Sequence, residues 1–309
     1  MISIIIPVFN SENTVSVLVD NIFAKLGQSY EFEVILVNDS SVDNSEEKCK
    51  ELVQKYKNTI LLSLSKNVGE HNAIMAGLNK CSGDYAITMS DDLQHSTDAL
   101  QELIKFGIKE KDKFDVVYTY YEKKKDSFMK NIGSKFNGFI ANFLLNKPKS
   151  LYISDFKFIN RFLINEVIKY KSPFIYVDGI ILEITNKIGR LKVDHNERFQ
   201  GKSGYTMIKM LQLWSNMSTS FSILPLRISM LMGLILSFSG FILVIYFVVE
   251  KIIDNTVPSG FASIFVSVTI FSGAILTALG LIGEYVGRTF ISLNNKPQFV
   301  IRDSWPKKK

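Results

Sequence analysis

The first 120 residues alternate short apolar runs with segments in which apolar residues recur at helical spacing. Each run is short, rich in branched or aromatic side chains and followed by turn-forming residues, as expected of a buried strand. The runs cover residues 2–8, 33–38, 60–64, 85–89 and 114–120. The helical segments between them cover residues 14–26, 45–56, 71–80 and 97–108. This alternation predicts an α/β fold with a doubly wound, mostly parallel sheet.

Two later segments, residues 228–249 and 261–283, contain no charged residue. Each exceeds the roughly 20 residues that a helix needs to cross the hydrocarbon core of a bilayer. We therefore predict two transmembrane helices that form a hairpin. The alternative is a pair of buried helices in a soluble core.

Two amphipathic segments, residues 128–145 and 207–221, precede this hairpin. Their apolar stripes are typical of helices that face a protein core, and also of helices that lie in the membrane interface. Trp214 and the position just before the first predicted span favour the interface for the second segment.

Charge and cysteine content narrow the class of protein. The net charge of +6 suits phosphate-bearing partners, namely nucleotides, nucleic acid or an anionic membrane surface. Cys49 and Cys81 are the only cysteines, which is too few for a disulfide framework and fits a reducing compartment. The N-terminus does not read as a signal peptide, because it lacks a basic region and Pro7 interrupts its apolar run.

Polar residues lie at the carboxyl ends of three of the predicted strands. Asn10, Asp39 and the pair Asp91–Asp92 occupy these positions, and parallel α/β sheets bind ligands at the carboxyl ends of their strands. Adjacent carboxylates repel each other unless a cation lies beside them, and Mg²⁺ or Mn²⁺ prefers oxygen ligands while leaving positions for substrate phosphates. Gln94 can add a carbonyl oxygen. The pattern predicts a divalent-metal site, with an acidic turn that caps the next helix as the alternative.

Several other kinds of site are disfavoured. The chain has neither the glycine fingerprint of dinucleotide-binding folds nor a P-loop, and it lacks a nucleophile elbow with a catalytic triad. The histidines His71, His95 and His195 are scattered without metal-ligand spacing, so each is interpreted as an ordinary core or surface residue.

Six motifs occur in order: SIIIPVFNSENTV, EVILVNDSSVDNS, NVGEHNAIMAGLNKCSGDYAITMSDDLQHS, ISDFKFINR, ERFQGKSGYT and SFSILPLR. Together with the predicted hairpin they resemble, over almost the whole chain, the membrane-anchored polyprenyl-phosphate glycosyltransferases of the inverting GT-A type. That group includes dolichyl-phosphate mannose synthases and the undecaprenyl-phosphate glucosyl- and aminoarabinosyl-transferases. The resemblance implies a GT-A catalytic domain over residues 1–205, an interfacial helix over 206–227, two transmembrane helices over 228–283 and a cytoplasmic basic tail over 284–309.

The resemblance also implies roles on the donor side. Asp92 and Gln94 match metal-binding positions of the family's D-x-D-L-Q motif and would hold Mg²⁺ or Mn²⁺. The residues that would contact the nucleotide are Pro7, Phe9, Asn10, Asp39, Asn67, Gly69 and Asp91.

On the acceptor side, Lys124, Arg198 and Lys202 would hold the phosphate of the lipid. Asp155 matches an acidic position of the family and would orient these basic groups or the sugar. Asp92 completes the implied catalytic set by binding the metal. A lipid phosphate is already mostly ionised at neutral pH, so it needs positioning and charge screening more than a general base.

The chain departs from the family pattern at several positions. Ser90 replaces the first acid of the metal motif, and Ser11 replaces a glutamate. Tyr121 and Lys124 stand where the family has two arginines, and Gly204 stands where it has a lysine. The basic side of the site is therefore rearranged.

The predicted function is transfer of a sugar from a UDP- or GDP-linked donor to a polyprenyl phosphate, with inversion, for cell-envelope glycan or lipid modification. The alternatives are a polysaccharide synthase and a nonenzymatic membrane scaffold with a degenerate fold. The predicted partners include the membrane and a second copy of the chain, but no nucleic acid. Because basic residues flank the hairpin on its outer sides, we predict a multi-pass protein of the inner (plasma) membrane with the catalytic domain and both termini in the cytoplasm.

Overall fold

The computed structural model describes residues 1–121, 151–172, 175–194, 224–253, 260–294 and 296–307. They belong to two compact units, of which one comprises residues 1–205 together with 295–309 and the other comprises residues 206–294. The two amphipathic segments predicted from the sequence lie outside the described residues, so they stay predictions.

The described part of the first unit contains one sheet of eight strands. These are β1 Ile2–Val8, β2 Phe32–Asn38, β3 Thr59–Leu64, β4 Tyr85–Thr88, β5 Val116–Tyr120, β6 Lys157–Asn160, β7 Ile188–Lys192 and β8 Ile301–Trp305. Their order in the sheet is β7-β5-β6-β4-β1-β2-β3-β8. Strand β1 pairs in parallel with β2 and β4, β2 with β3, and β5 with β7. The predicted α/β fold with a mostly parallel sheet is confirmed.

The described helices follow the predicted alternation. They are α1 Val15–Leu26, α2 Ser45–Lys55, α3 Glu70–Lys80, α4 Thr97–Lys109, α5 Arg161–Val167, α6 Val177–Ile184, α7 Leu224–Ile253 and α8 Phe261–Leu293. Both faces of β1 are covered, which explains its unbroken apolar run. Ile4 and Ile6 join the core cluster that includes residues of α1 and α4, whereas Ile5 meets α3, where a side chain larger than that of Gly77 would collide with it.

Strand β6 was not predicted from the sequence, and it changes the sheet from parallel to mixed. It runs antiparallel between β4 and β5. With only four residues, one of which is Lys157, it carries little of the apolar signal that marks a central strand.

The segment 284–309, predicted as a cytoplasmic basic tail, contains the end of a helix and a strand in its described part, and its cytoplasmic position stays a prediction. Helix α8 continues to Leu293, and Ile301–Trp305 forms the edge strand β8, which runs antiparallel to β3. An exposed edge strand tolerates charged side chains on its open faces, so the sequence I-R-D-S-W can join the sheet without a continuous apolar pattern.

The second unit contains the two long helices α7 and α8. By length and composition, one described segment, Ile270–Leu293 of α8, could cross a membrane, and Leu226–Ile242 of α7 is a shorter apolar stretch. The two helices approach closely at Gly240, where an added Cβ would lie 2.8 Å from Cζ of Phe271.

Candidate active site at the carboxyl ends of the parallel strands

The order of the sheet brings the predicted strand-end residues together. Strands β4, β1 and β2 are neighbours, so Asp91, Asn10 and Asp39 emerge at one edge. The backbone N–H of Phe9 faces Oδ2 of Asp91 at 3.4 Å. Oδ1 of Asn10 accepts the N–H of Val42 at 3.0 Å. The convergence inferred from the sequence is therefore present in the structure.

Asp39 is the buried anchor of this edge, with 3% of its surface exposed. Its two carboxylate oxygens accept the backbone N–H groups of Val68 and Gly69, each at 2.8 Å. Burial raises the pKa of Asp39, and these two hydrogen bonds partly oppose that rise. Gly69 has a φ of 86°, a conformation that favours glycine. Asp39 thus holds the loop that carries Asn67 and Gly69, in addition to any contact with a nucleotide.

A reciprocal pair of hydrogen bonds, missed by sequence reasoning, joins the loops after β1 and β2. Oε2 of Glu12 accepts the N–H of Asn44 at 3.0 Å, and Oδ2 of Asp43 accepts the N–H of Glu12 at 3.2 Å. Burial alone would raise the pKa of Asp43, but hydrogen bonds from Ser45 and Glu12 outweigh it and lower the pKa. The sequence signal was the presence of small and acidic residues in both loops.

The two adjacent acids have different environments. Asp91 turns toward the β1 loop, where it accepts hydrogen bonds from Ser11 and Phe9. Burial raises the pKa of Asp91 to about 6, and these hydrogen bonds oppose the rise. Asp92 stays in its own turn, where Oδ1 accepts the N–H of Gln94 at 3.1 Å. Leu93 has a φ of 62°, and this left-handed residue separates Asp92 from Gln94.

The donor atoms of this turn suit a hard divalent cation. Asp92 offers a half-buried carboxylate and Gln94 offers an amide oxygen. The described residues contain no group of three or more His, Cys, Asp or Glu side chains arranged to hold a metal. The carboxylate and amide oxygens of the turn suit a cation that is held jointly with substrate phosphates, as Mg²⁺ and Mn²⁺ commonly are. The turn does not provide a complete protein cage.

His95, which follows this turn, has a specific partner that the sequence did not reveal. The hydroxyl of Tyr121 lies 2.8 Å from Nδ1 of His95, and the imidazole stacks on Phe156 with ring centroids 4.5 Å apart. Burial raises the pKa of Tyr121 to about 12, against the effect of hydrogen bonds with Ser154 and Thr119. Tyr121, where the resemblance implies an arginine, therefore places a phenol in hydrogen-bond contact with His95, directly after the Asp92–Gln94 turn.

Tyr121→Phe is expected to lower the free energy of unfolding by at least about 1 kcal/mol, because it keeps the ring but removes the hydroxyl that bonds to His95, Ser154 and Thr119. Chemical denaturation measures the change. Tyr152→Phe is the matched control, since Tyr152 packs edge-on against Tyr121 at 6.2 Å but is half exposed. Equal stability of the Tyr121→Phe variant and the parent protein would show that the hydrogen bonds of this hydroxyl contribute nothing to the free energy of unfolding.

Two further acids complete the described part of the site. Asp155 lies just before β6, and its backbone carbonyl accepts the hydroxyl of Thr88 at the end of β4. Glu70, which sequence reasoning missed, begins α3 directly after Gly69. Solvent reaches Glu70, yet the surrounding protein removes enough hydration to raise its pKa to about 8, and the nearby charge of Asp155 adds to the rise.

The remaining predicted site residues divide into two groups. Pro7 is the penultimate residue of β1 and pairs with Val37 of β2. Phe9 is 47% exposed at the rim of the site. Lys124, Arg198 and Lys202 lie outside the described residues, so their roles stay predictions.

Comparison with known proteins agrees with this geometry. Residues 3–168, more than half of the chain, match the model of glycosyl transferase family 2. The undecaprenyl-phosphate 4-deoxy-4-formamido-L-arabinose transferase of Photorhabdus laumondii is 29% identical, and the match covers 97% of this chain and 93% of that protein. The transferase of the same name from Proteus mirabilis is 28% identical over the same shares.

Among solved structures, glucosyl-3-phosphoglycerate synthase of Mycobacterium tuberculosis in complex with UDP superposes with a TM-score of 0.51 at 13% identity. The superposition covers 72% of this chain and 78% of that protein. This likeness supports the GT-A fold. The chain belongs to glycosyl transferase family 2 and is a glycosyltransferase.

Proposed function

We propose that this chain transfers a sugar from a nucleotide donor to a polyprenyl phosphate at the cytoplasmic face of the cell membrane, for modification of an envelope glycan or lipid. One observation carries the proposal. Relatives named for undecaprenyl phosphate match 97% of the chain, a span that extends beyond the catalytic domain into the helical unit.

The donor side of the site is supported by the described contacts. The edge formed by Phe9, Asn10 and the loop held by Asp39 offers an aromatic ring, backbone groups and an amide to a nucleotide. Asp92 and Gln94 would hold Mg²⁺ or Mn²⁺ beside its phosphates. When bound, such a cation screens the charge that develops on the diphosphate leaving group.

The acceptor phosphate acts as the nucleophile. It attacks the anomeric carbon as the bond to the nucleotide diphosphate breaks, so no protein base is needed. Lys124, Arg198 and Lys202 are proposed to orient this phosphate, and Asp155 to orient the sugar or these basic groups. A single displacement inverts the anomeric configuration.

The helical unit is proposed to anchor the catalytic domain at the membrane. Helices α7 and α8 form the proposed hairpin, and the segment Ile270–Leu293 supports it by its length and apolar composition. The basic residues on the outer flanks of the hairpin favour cytoplasmic termini.

Purified full-length protein in detergent, incubated with Mn²⁺, undecaprenyl phosphate and a panel of UDP- and GDP-sugars, is expected to form one glycosylated lipid phosphate. NMR of the product should show the configuration opposite to that of the donor. A water-soluble sugar that is a better acceptor than lipid phosphate, or a product with retained configuration, would contradict the proposal.

A further inference from the structure

A fully buried ion pair lies beneath the candidate site. Lys157 of β6 and Asp178 of α6 have side chains that are 0% and 1% exposed, and the ammonium group donates to Oδ1 of Asp178. The hydroxyl of Tyr118, also fully buried, donates to the same oxygen at 2.8 Å. The ammonium nitrogen of Lys157 lies 5.4 Å from the centroid of the Tyr118 ring.

Stability alone does not account for this arrangement. Removing two charges from water costs about as much as their mutual attraction returns, so well-packed apolar residues of similar volume often stabilise a protein equally well or better. Side chains alternate along a strand, so Lys157 points to the opposite face of the sheet from its neighbours Phe156 and Phe158, and there it is fully buried against Asp178 of α6. An apolar residue at this buried position would be the simpler solution, and the charged pair therefore points to a role other than packing.

The backbone of Lys157 touches the parts of the site that must be aligned. It pairs with Thr88 of β4 on one side and with Tyr118 of β5 on the other. Thr88 also donates its hydroxyl to the carbonyl of Asp155. Thr88 ends the strand that leads into the turn of Asp92, so the backbone of Lys157 lies next to both the start of that turn and Asp155.

The charge of Lys157 also counters the acids around it. Loss of hydration raises the pKa of Glu70, and the negative charges of Asp155, Asp91 and Asp178 add to the rise. The positive charge of Lys157 lowers the pKa of Glu70. Lys157 thus places a positive charge close to the acids of the candidate site, where the anionic nucleotide sugar is proposed to bind.

We propose that the Lys157–Asp178 ion pair is a positioning element of the transfer site: it holds the exit of β4 and the approach to β6 in register, and so aligns the Asp92 turn with Asp155. The activity readout of this inference rests on the proposed function, whereas its structural readout does not.

The double variant Lys157→Met/Asp178→Leu removes both charges and replaces them with apolar side chains. Its melting temperature is expected to fall by about 2–12 °C, because apolar packing offsets the loss of the ion pair whereas the buried Tyr118 hydroxyl loses its acceptor. Its kcat is expected to fall by at least about tenfold, because misalignment of reacting groups is costly. Amide hydrogen exchange of residues 88–96 should become at least about fivefold faster, because the turn loses its support.

The chain offers a matched control. Lys55, Asp20 and Tyr56 form the same triad on the surface, with the lysine and the tyrosine donating to Oδ1 of Asp20 at 2.9 and 2.8 Å. The variant Lys55→Met/Asp20→Leu should leave both kcat and the exchange of residues 88–96 unchanged. Parent values of kcat and exchange in the Lys157→Met/Asp178→Leu variant would overturn the proposal.

Asp178→Asn provides the test if the double variant does not fold, since it keeps the size of the side chain and an oxygen acceptor for Tyr118 but removes the charge that pairs with Lys157. It should raise the exchange of residues 88–96 by at least about twofold, and unchanged exchange would overturn the proposal. If the parent protein transfers no sugar, the proposed function fails, while the exchange measurement still decides the positioning role.

Discussion

Asp92→Asn is expected to lower kcat for sugar transfer by at least about 10²-fold, which is the magnitude seen when a group that stabilises transition-state charge is removed. Asp92 is the acid of the pair that remains in the turn with Gln94, whereas Asp91 is engaged by the β1 loop. An amide keeps the size of the side chain and can still accept the N–H of Gln94. The loss should therefore come from charge and not from folding.

Chelation tests the same idea without a mutation. EDTA should abolish transfer by the parent protein, and added Mn²⁺ or Mg²⁺ should restore it. Asp98→Asn is the matched control, because Asp98 is an exposed residue of α4 whose partner is Lys25. Full activity in EDTA, or an Asp92→Asn variant as active as the control, would remove the metal from the mechanism.

Asp39→Ala is expected to raise KM for the nucleotide sugar by at least about tenfold, because displacement of a positioning loop has large effects on binding and rate. The substitution removes the acceptors of two backbone N–H groups, those of Val68 and Gly69. Hydrogen bonds to a charged acceptor contribute up to about 1.5–3 kcal/mol each, and partial exposure of Val68 and Gly69 keeps these two at or below that range. Stability should fall together with donor binding.

Asp39→Asn separates the two contributions of this residue. The amide retains one oxygen acceptor and presents an NH₂ group to the second N–H, so it should lie between the parent and Asp39→Ala in both stability and KM. Donor titration and chemical denaturation measure the two quantities. If the KM for the acceptor rises while the KM for the donor stays constant, Asp39 acts in acceptor binding and the prediction is wrong.

The half of the fold built from local signals could be predicted from the sequence. Strands β1 to β4 are apolar runs bounded by turns, and the strand-end rule correctly brought Asn10, Asp39 and Asp91–Asp92 together. The same rule could not distinguish the two acids. Their difference depends on which neighbouring N–H groups each carboxylate meets, and those groups come from loops far away in sequence.

The missed features all depend on long-range partners. A lysine such as Lys157 is expected on the surface, and its buried position depends on the charge of Asp178, 21 positions later. His95 reads as an ordinary histidine until Tyr121, 26 positions away, is seen to bond to it. Strand β8 contains two charged residues, and only its pairing with β3 shows that it is a strand. Periodicity within a short window contains none of this information.

Because β8 pairs with the sheet after the two long helices, the helical unit can cross a membrane only an even number of times. The residues of β8, which follow α8, hydrogen-bond to β3, so the chain on both sides of the helical unit belongs to one folded body that cannot occupy both sides of a bilayer. Any passage through the membrane by α8 therefore needs a second passage that brings the chain back. Helix α7, with 30 residues and a length of about 45 Å at 1.5 Å per residue, is the segment that we propose supplies it.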